Sequence, residues 1–220
     1  MIPMGHPVIR RVVLDTLERM APDPANKPRL MAWLREGYDE GLIRVELRTA
    51  LRALARVIRP QTYLEIGVRR GWSMAQVMAE ALDCQVVGCD PWIAQYGGVP
   101  NHGEEWVRAE LAHTVPGFRG TLTFVSGYSQ RDLAPLIRDR QFDLICVDGD
   151  HTGAGALADL RLCLPKVAVG GALVFDDLVD AADDGGMTLR TAWETAKGEY
   201  PGYVWREYTG LVPVGVAYRA

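Results

Sequence analysis

Short apolar segments alternate with amphipathic segments from residue 62 to the end of the chain. Residues 144–147 are apolar at every position, as in a strand that helices cover on both faces. Strands that alternate with helices in this way predict βαβ units and a mostly parallel sheet. The predicted strands are 62–67, 85–90, 121–126, 142–148 and 171–176.

The segments between these strands have the hydrophobic period of helices. Ser129 followed by Asp132 resembles a capping box and indicates where one helix begins. Near the C-terminus, runs at 203–208 and 212–218 flank a short turn that contains Gly210, which predicts an antiparallel hairpin. The predicted helices are 73–82, 104–113, 129–139, 154–164 and a last one that runs through Trp193.

The first 60 residues have a different character, because several prolines precede two predicted helices at 29–38 and 44–58. In the second helix, apolar residues at 47, 51, 54 and 58 form the stripe of a buried face. A line of arginines with i+4 spacing is interpreted as a solvated face rather than a grip for an anion; it consists of Arg44, Arg48, Arg52 and Arg56. We divide the chain into an N-terminal helical extension, residues 1–60, and a main domain, residues 61–220.

Composition and charge narrow the class of protein. The chain has 220 residues, of which 48% are hydrophobic and 24% charged, as in a globular domain with one core. The net charge of −4 gives no overall basic field for a nucleic acid. No apolar run approaches the roughly 20 residues that span a bilayer, and no stretch resembles a signal peptide. We expect a cytoplasmic protein without nucleic acid or membrane as partner, and we expect its four cysteines to be reduced core residues.

Residues 63–73 predict a ligand-binding turn between a strand and a helix. Gly67 and Gly71 let the backbone approach a ligand closely, and the following helix offers free N–H groups. A nicotinamide-binding turn has three glycines in the pattern GxGxxG, whereas this turn has two, preceded by Glu65. An acid suits a cationic ligand better than a pyrophosphate. A nicotinamide-dependent oxidoreductase is therefore the less favoured alternative.

This turn resembles the first motif of the class I S-adenosylmethionine (SAM)-dependent methyltransferases, in which an acid precedes two glycines with this spacing. The cofactor carries an ammonium and a sulfonium group, which explains the acid. Asp90 ends the next strand, where an acid can accept hydrogen bonds from ribose hydroxyls. The resemblance implies a Rossmann-like α/β fold with a mostly parallel seven-stranded sheet and a C-terminal antiparallel hairpin. The SAM-binding residues that it implies are Glu65, Gly67, Gly71, Ser73, Asp90, Gly127, Tyr128 and Asp148.

Two later strands end in carboxylates. Residues 148–151 (Asp-Gly-Asp-His) follow the fourth strand, and Asp176 and Asp177 follow the fifth. These segments resemble a bacterial group of small-molecule O-methyltransferases that includes macrolide-sugar and aminocoumarin-sugar enzymes, over about residues 44–220. In those enzymes the corresponding positions hold a metal. Residues 1–41 lie outside the resemblance, and we expect them to influence the choice of acceptor.

Carboxylates at the ends of adjacent strands lie close together, because strands in a sheet are about 4.8 Å apart. They would raise one another's pKa values unless a cation lay between them. We therefore predict Asp148, Asp176 and Asp177 as ligands of Mg²⁺ or another divalent cation, provided that the fifth strand has ended by Asp177. His151 and Asp150 are both candidates for the catalytic base.

The predicted reaction is transfer of a methyl group from SAM to a hydroxyl of a small polar molecule, assisted by the cation. Two alternatives stay open: a metal-independent methyltransferase that uses Asp150 or His151 alone, and a SAM-binding module without activity. A homo-oligomeric state is also open. Loops at 92–102 and 180–186 follow strands at the binding edge and are expected to cover the site. Asp159 is interpreted as a structural partner within its helix.

Overall fold

A central sheet of seven strands crosses the molecule in this computed structural model, which describes residues 4–37, 40–96 and 99–220. The strands of the described residues, including two that lie outside this sheet, are β1 (Thr62–Ile66), β2 (Gln85–Asp90), β3 (Gln95–Tyr96), β4 (Val99–Pro100), β5 (Thr121–Ser126), β6 (Phe142–Val147), β7 (Val167–Phe175), β8 (Tyr203–Tyr208) and β9 (Val214–Arg219). Their order in the sheet is β5-β2-β1-β6-β7-β9-β8, and β3 and β4 form a separate ribbon. The first five of these pair in parallel, whereas β9 is antiparallel to β7 and β8. The predicted sheet and its C-terminal hairpin are confirmed.

Helices cover both faces of this sheet. They are α1 (Pro7–Arg19), α2 (Lys27–Arg35), α3 (Leu47–Ile58), α4 (Trp72–Met78), α5 (Glu104–Thr114), α6 (Gly153–Cys163) and α7 (Leu189–Glu199), with a π-helical turn at Ser129–Leu133 and a 3₁₀ turn at Leu164–Lys166. Among the described residues, no helix combines the length and the apolar character that a membrane crossing needs.

Alternating side chains of the central strands divide the core into two layers. On β6, Leu144 and Cys146 face the layer in which α1 to α5 pack, and Ile145 and Val147 face the layer of α6 and α7. All four cysteines are free and buried, as predicted. Helix α3 packs in the same core layer as one face of the sheet. The division at residue 60 therefore marks a change in sequence character and not a break in the core.

Helix α1 is an addition to the predicted elements. Pro7 begins this helix, where its missing N–H removes no helical hydrogen bond, and the His6 side chain accepts the N–H of Val8 (3.2 Å). Pro28 likewise lies in the first turn of α2. Both prolines lie in the first turn of a helix, whereas the predicted helices begin only after the prolines, at residues 29 and 44. The predicted end of α2, at residue 38, lies outside the described residues.

The interpretation of the arginine line on α3 as a solvated face is wrong. Arg52 is buried, and its Nε donates to the Glu80 carboxylate (2.7 Å). Arg48 is half-buried and pairs with Glu46 (3.0 Å). Arg56, near the end of α3, is exposed, so this side of the helix packs against the rest of the molecule at Arg48 and Arg52 and faces solvent beyond them.

The capping box predicted at Ser129 is also wrong. The segment begins as a π-helical turn, and the Ser129 hydroxyl donates to Asp159 on α6. The Asp132 carboxylate accepts the N–H of Tyr128 (2.7 Å). The turn is thus held by the neighbouring helix α6 and not by a Ser129 cap.

Candidate active site

The glycine turn between β1 and α4 lies at the carboxyl edge of the sheet. Gly67 has a φ of +85°, and a side chain there would begin 1.7 Å from the backbone oxygen of Asp148. Gly71, the residue before α4, has a φ of +71°. From the sequence, the absence of a side chain at Gly67 is expected to let a ligand approach the backbone. In the structure, this absence first lets the turn pass close to the backbone at the end of β6.

A cavity of about 500 Å³ opens beside this turn, a volume typical of small-molecule sites. The carboxylate of Asp90, at the end of β2, borders it and accepts the N–H groups of Arg69 (2.8 Å) and Trp92 (2.7 Å). Burial raises the pKa of Asp90. A carboxylate offers about four acceptor positions, so Asp90 can still accept bonds from a ligand. The predicted cofactor residues that border this larger cavity are Gly67, Asp90, Gly127, Tyr128 and Asp148.

Asp159 supports one wall of the larger cavity. It is 2% exposed and accepts hydrogen bonds from the Ser129 hydroxyl and from the Gln130 amide (3.0 Å). All three residues border the cavity. Asp159 is a structural partner, as interpreted, but it acts between two elements and not within α6. Gln130 is absent from the predicted site residues, although its position directly after the Gly127 turn indicates that it lies near the binding edge of the sheet.

Parts of the two predicted covering loops border the larger cavity. Ile93 and Asn101 come from the first loop and Asp183 from the second, and the Asp183 N–H donates to the His151 carbonyl (3.0 Å). The Trp92 indole donates to the Ser126 hydroxyl (2.9 Å) and so ties the first loop to β5. Residues 97–98 of that loop lie outside the described part of the chain.

Glu65 and Ser73 form a buried pair beside the smaller of two cavities at this edge. Glu65 is fully buried and accepts hydrogen bonds from the Ser73 hydroxyl (2.6 Å) and from the Tyr63 hydroxyl. Burial raises the pKa of Glu65 to about 8. Ser73 borders the smaller cavity, whereas Glu65 is absent from the described lining of both. Glu65 therefore positions Ser73 and the turn around it. The resemblance, in contrast, implies that Glu65 contacts SAM directly.

Three side chains converge where β6 and β7 end. Potential ligand atoms of Asp148, His151 and Asp177 all lie within 4.8 Å of one another. The Nε2 atom of His151 is 3.6 Å from the Asp148 carboxylate and 3.4 Å from that of Asp177. The neighbouring Asp148 above all, and then Asp177, raises the pKa of His151 to about 9. We call these three residues the edge cluster.

Asp176 lies outside the edge cluster, and its predicted role as a metal ligand stays a prediction. Strand β7 ends at Phe175, so both acids follow the strand, and Asp177 has a φ of +52° that turns the chain. Asp176 is 8% exposed, and its Oδ1 is buried without a hydrogen-bond partner in the described structure. Burial, with the charges of Asp148 and Asp177, raises its pKa well above the usual range. The third member of the cluster is instead His151.

Asp150 has a different environment from its neighbour. It is exposed, and its carboxylate accepts the N–H of Thr152 (2.8 Å) just before α6 begins. Asp150 borders the larger cavity, whereas His151 borders both cavities. Of the two predicted bases, His151 is therefore the one that the structure places in the edge cluster.

A second cavity, of about 320 Å³, lies on the other side of the edge cluster. The two cavities share Gly67, Arg69, Asp148 and His151. Residues from the loop before α2, from α2 and from α3 complete the smaller cavity; they include Asp23, Asn26, Arg29 and Arg48. The N-terminal extension thus contributes directly to the site.

The edge cluster has the chemistry of a divalent-cation site. Two carboxylates and an imidazole supply oxygen and nitrogen donors, and the unpaired Oδ1 of Asp176 lies beside them. Carboxylates suit Mg²⁺, Ca²⁺ and Mn²⁺, whereas an imidazole is typical for Zn²⁺, Fe²⁺ or Ni²⁺. The residues present therefore fit a divalent cation, and the donor set is broader than the oxygen set predicted for Mg²⁺.

A family described as "Methyltransferase domain" matches residues 64–178, which is more than half of the chain. The chain belongs to the methyltransferase domain family. The predicted enzyme class, a SAM-dependent methyltransferase, is confirmed at the level of this family. The matched part of this methyltransferase includes both glycines of the turn, Asp90 and the whole edge cluster.

Solved structures of O-methyltransferases share the fold of this methyltransferase. The O-methyltransferase NovP is 18% identical with a TM-score of 0.66, over 97% of each chain. TomG from Streptomyces achromogenes, involved in tomaymycin synthesis and solved with SAM, is 18% identical with a TM-score of 0.57, over 91% of this chain and 92% of its own. The O-methyltransferase from Bacillus cereus, in complex with SAH, is 15% identical with a TM-score of 0.59, over 96% and 91%. A search of curated proteins gives no match.

Proposed function

We propose that this methyltransferase transfers a methyl group from SAM to a hydroxyl of a small polar molecule. The observation that carries the proposal is the meeting of two cavities at Asp148 and His151. A transfer reaction needs such a junction, because the methyl donor and the acceptor must meet in line. The presence of SAM and of S-adenosylhomocysteine (SAH) in solved structures with this fold supports SAM as the donor.

The larger cavity is proposed to hold the cofactor. Asp90 would accept hydrogen bonds from the ribose hydroxyls, since its carboxylate has acceptor positions beyond those used by the Arg69 and Trp92 N–H groups. The exposed apolar side chains of Ile93 and Tyr128, which border this cavity, would pack against the adenine. The sulfonium would then lie near the edge cluster, which both cavities share.

The smaller cavity is proposed to hold the acceptor. Its hydroxyl would lie at the edge cluster, where the oxygen attacks the methyl carbon as the bond from carbon to sulfur breaks. SAH leaves as a neutral thioether, and the hydroxyl proton must be removed. The Nε2 atom of His151 would accept that proton when the imidazole is neutral, the form that predominates above the raised pKa of about 9 set mainly by Asp148. Much of the rate enhancement would come from holding the two reactants in line.

Asp148, His151 and Asp177 would hold a divalent cation if one is bound, with Asp176 as a neighbouring acid. Such a cation would lower the pKa of the acceptor hydroxyl and offset the charge of the carboxylates. The imidazole cannot be both a ligand and a base through the same nitrogen. The edge cluster therefore supports two modes, a metal-assisted one with His151 as ligand and a metal-independent one with His151 as base.

Calorimetry with SAH tests the cofactor site. We expect SAH to bind the wild-type protein, and Asp90→Ala to weaken binding at least tenfold because two ribose hydrogen bonds to a charged group are lost. Asp83→Ala is the matched control, since Asp83 pairs with Arg119 on the surface (2.8 Å). Equal SAH affinity in the wild type and Asp90→Ala would exclude this placement. Absence of SAH binding to the wild type would exclude the function.

A further inference from the structure

The smaller cavity is lined by arginines as well as by acids, which are Asp23, Asp148, Asp176 and Asp177. Its arginines are Arg29, Arg48, Arg69 and Arg70. Two of them have acidic partners: Arg48 pairs with Glu46 (3.0 Å), and the Nε of Arg70 is 3.6 Å from Asp23. These two are therefore largely neutralised by the protein itself.

Arg29 and Arg69 differ from this pair. Arg29 is exposed at the rim and Arg69 is half-buried. Neither side chain has a hydrogen bond or an ion pair within the described residues, and the Nε of Arg69 is buried without a partner. A buried N–H group without a partner costs free energy, and a guanidinium binds planar anions with two parallel hydrogen bonds. The cavity thus offers two cationic side chains that the described part of the protein leaves without an anion.

The order of the strands places these charges beside the reaction centre. Arg69 follows β1, Asp148 follows β6 and Asp177 follows β7, and these three strands are neighbours in that order. Arg29 approaches from α2, and all four residues border the same 320 Å³ cavity. A small acceptor with its hydroxyl at the edge cluster can therefore reach the arginines with another part of its structure.

We propose that the acceptor carries an anionic group, a carboxylate or a phosphate, and that Arg29 and Arg69 bind it. This inference rests on the proposed function, because it assigns the smaller cavity to the acceptor. The carboxylate of SAM is another source of the same anion chemistry. Arg69 borders both cavities and could meet either ligand, but Arg29 borders the smaller cavity. Arg29 therefore distinguishes the two sources.

The test is calorimetric titration of the SAH-saturated protein with matched pairs of hydroxyl compounds. The pairs are glucuronate with glucose, glucose 6-phosphate with glucose, and 3,4-dihydroxybenzoate with 3,4-dihydroxybenzamide. We expect an anionic member to bind at least tenfold more tightly than its neutral partner. In Arg29→Gln this preference should fall by roughly tenfold, as expected for a lost charge-assisted hydrogen bond. Arg29→Lys should keep part of the preference, because the charge remains but the paired hydrogen bonds of the guanidinium are lost.

Arg35→Gln is the matched control, because Arg35 lies on the same helix and pairs with Glu18 (2.7 Å). It should behave like the wild type. Three results overturn the inference: equal binding of neutral and anionic members, no binding of any anionic member, or the same loss in Arg29→Gln and Arg35→Gln. Weaker binding of SAH itself in Arg29→Gln would assign the anion to the cofactor and would also overturn it. If SAH fails to bind the wild type, the proposed function has failed first.

Discussion

Burial determines what each acid of the site can do, and single residues differ sharply in this respect. Glu65 is fully buried behind the cavity wall, Asp90 borders the larger cavity, and Asp177 belongs to a cluster with His151. The sequence pattern marks all of them as acids at or near the ends of strands. It cannot separate an acid that contacts a ligand from one that holds a neighbouring side chain, because burial depends on packing by distant segments.

Replacing Glu65 with Gln should change how stability depends on pH. Burial raises the pKa of Glu65 to about 8 in the folded protein, above its usual 4.5. The unfolded chain therefore releases this proton at lower pH, so the wild type loses stability as pH rises from about 4.5 through 8. Glu65→Gln has no such group. Its Tm relative to the wild type should rise between pH 5 and 9, by an amount on the order of 10 °C. A constant Tm difference over that range would contradict the assignment.

Gly67→Ala should destabilise the protein whether or not SAM binds. Its Cβ would lie 1.7 Å from the Asp148 carbonyl oxygen, and we expect a loss of about 3 kcal/mol or more in the free energy of unfolding. Gly170→Ala is the matched control, because Gly170 also has a positive φ (+81°) but its Cβ would meet nothing within 4 Å. That variant should lose about 1–2 kcal/mol from backbone strain alone. Denaturant unfolding of both variants without ligand measures the difference.

At the level of elements, strands were easier to predict than helix ends. A strand such as β6 is apolar throughout because helices cover both faces, and this signal is local in sequence. Helix α1 is absent from the prediction because Pro7 and its neighbours look like helix breakers, although they begin a helix. The π-helical turn at Ser129–Leu133 depends on Asp159, 30 residues away, which no local pattern shows.

This link between α6 and the π-helical turn should matter for cofactor binding. Asp159 accepts hydrogen bonds from Ser129 and Gln130, which border the larger cavity. Asp159→Ala should therefore lower SAH affinity roughly tenfold by releasing these two side chains. Asp139→Ala, a change at an exposed acid beyond the same turn, should leave the affinity unchanged. Calorimetry measures both affinities, and an unchanged affinity in Asp159→Ala would show that Asp159 only stabilises the fold.

At the scale of the whole molecule, the proposed site lies between the part that matches the methyltransferase family, residues 64–178, and the N-terminal helices. The family-matched part supplies most of the larger cavity and the whole edge cluster. Their position could be predicted from the sequence, because the carboxyl ends of parallel strands meet at one edge of a sheet. The smaller cavity combines this edge with α2 and α3. Arg29 was therefore out of reach for sequence analysis, since its place in the site depends on how the N-terminal helices pack.

The edge cluster should control the rate of methyl transfer more than the binding of cofactor. Asp177 borders the smaller cavity and His151 lies 3.4 Å from it, so Asp177→Asn should lower kcat with SAH affinity nearly unchanged. His151→Ala should lower kcat by roughly 10²–10⁴-fold if His151 is the base. Asp184→Asn, an exposed change in the nearby loop, is the control for charge alone.

Titration with divalent cations then separates the two catalytic modes. In the metal-assisted mode, chelator abolishes activity, and Asp177→Asn weakens binding of Mg²⁺ or Mn²⁺ to the SAH-saturated protein. The affinity of the wild type for the cation should increase as pH rises towards 9, because the neighbouring Asp148, more than Asp177, raises the pKa of His151 to about 9 and the cation must displace that proton. His151→Asn should remove this pH dependence. Full activity in chelator, with no measurable binding of either cation, would leave the metal-independent mode with His151 as the base.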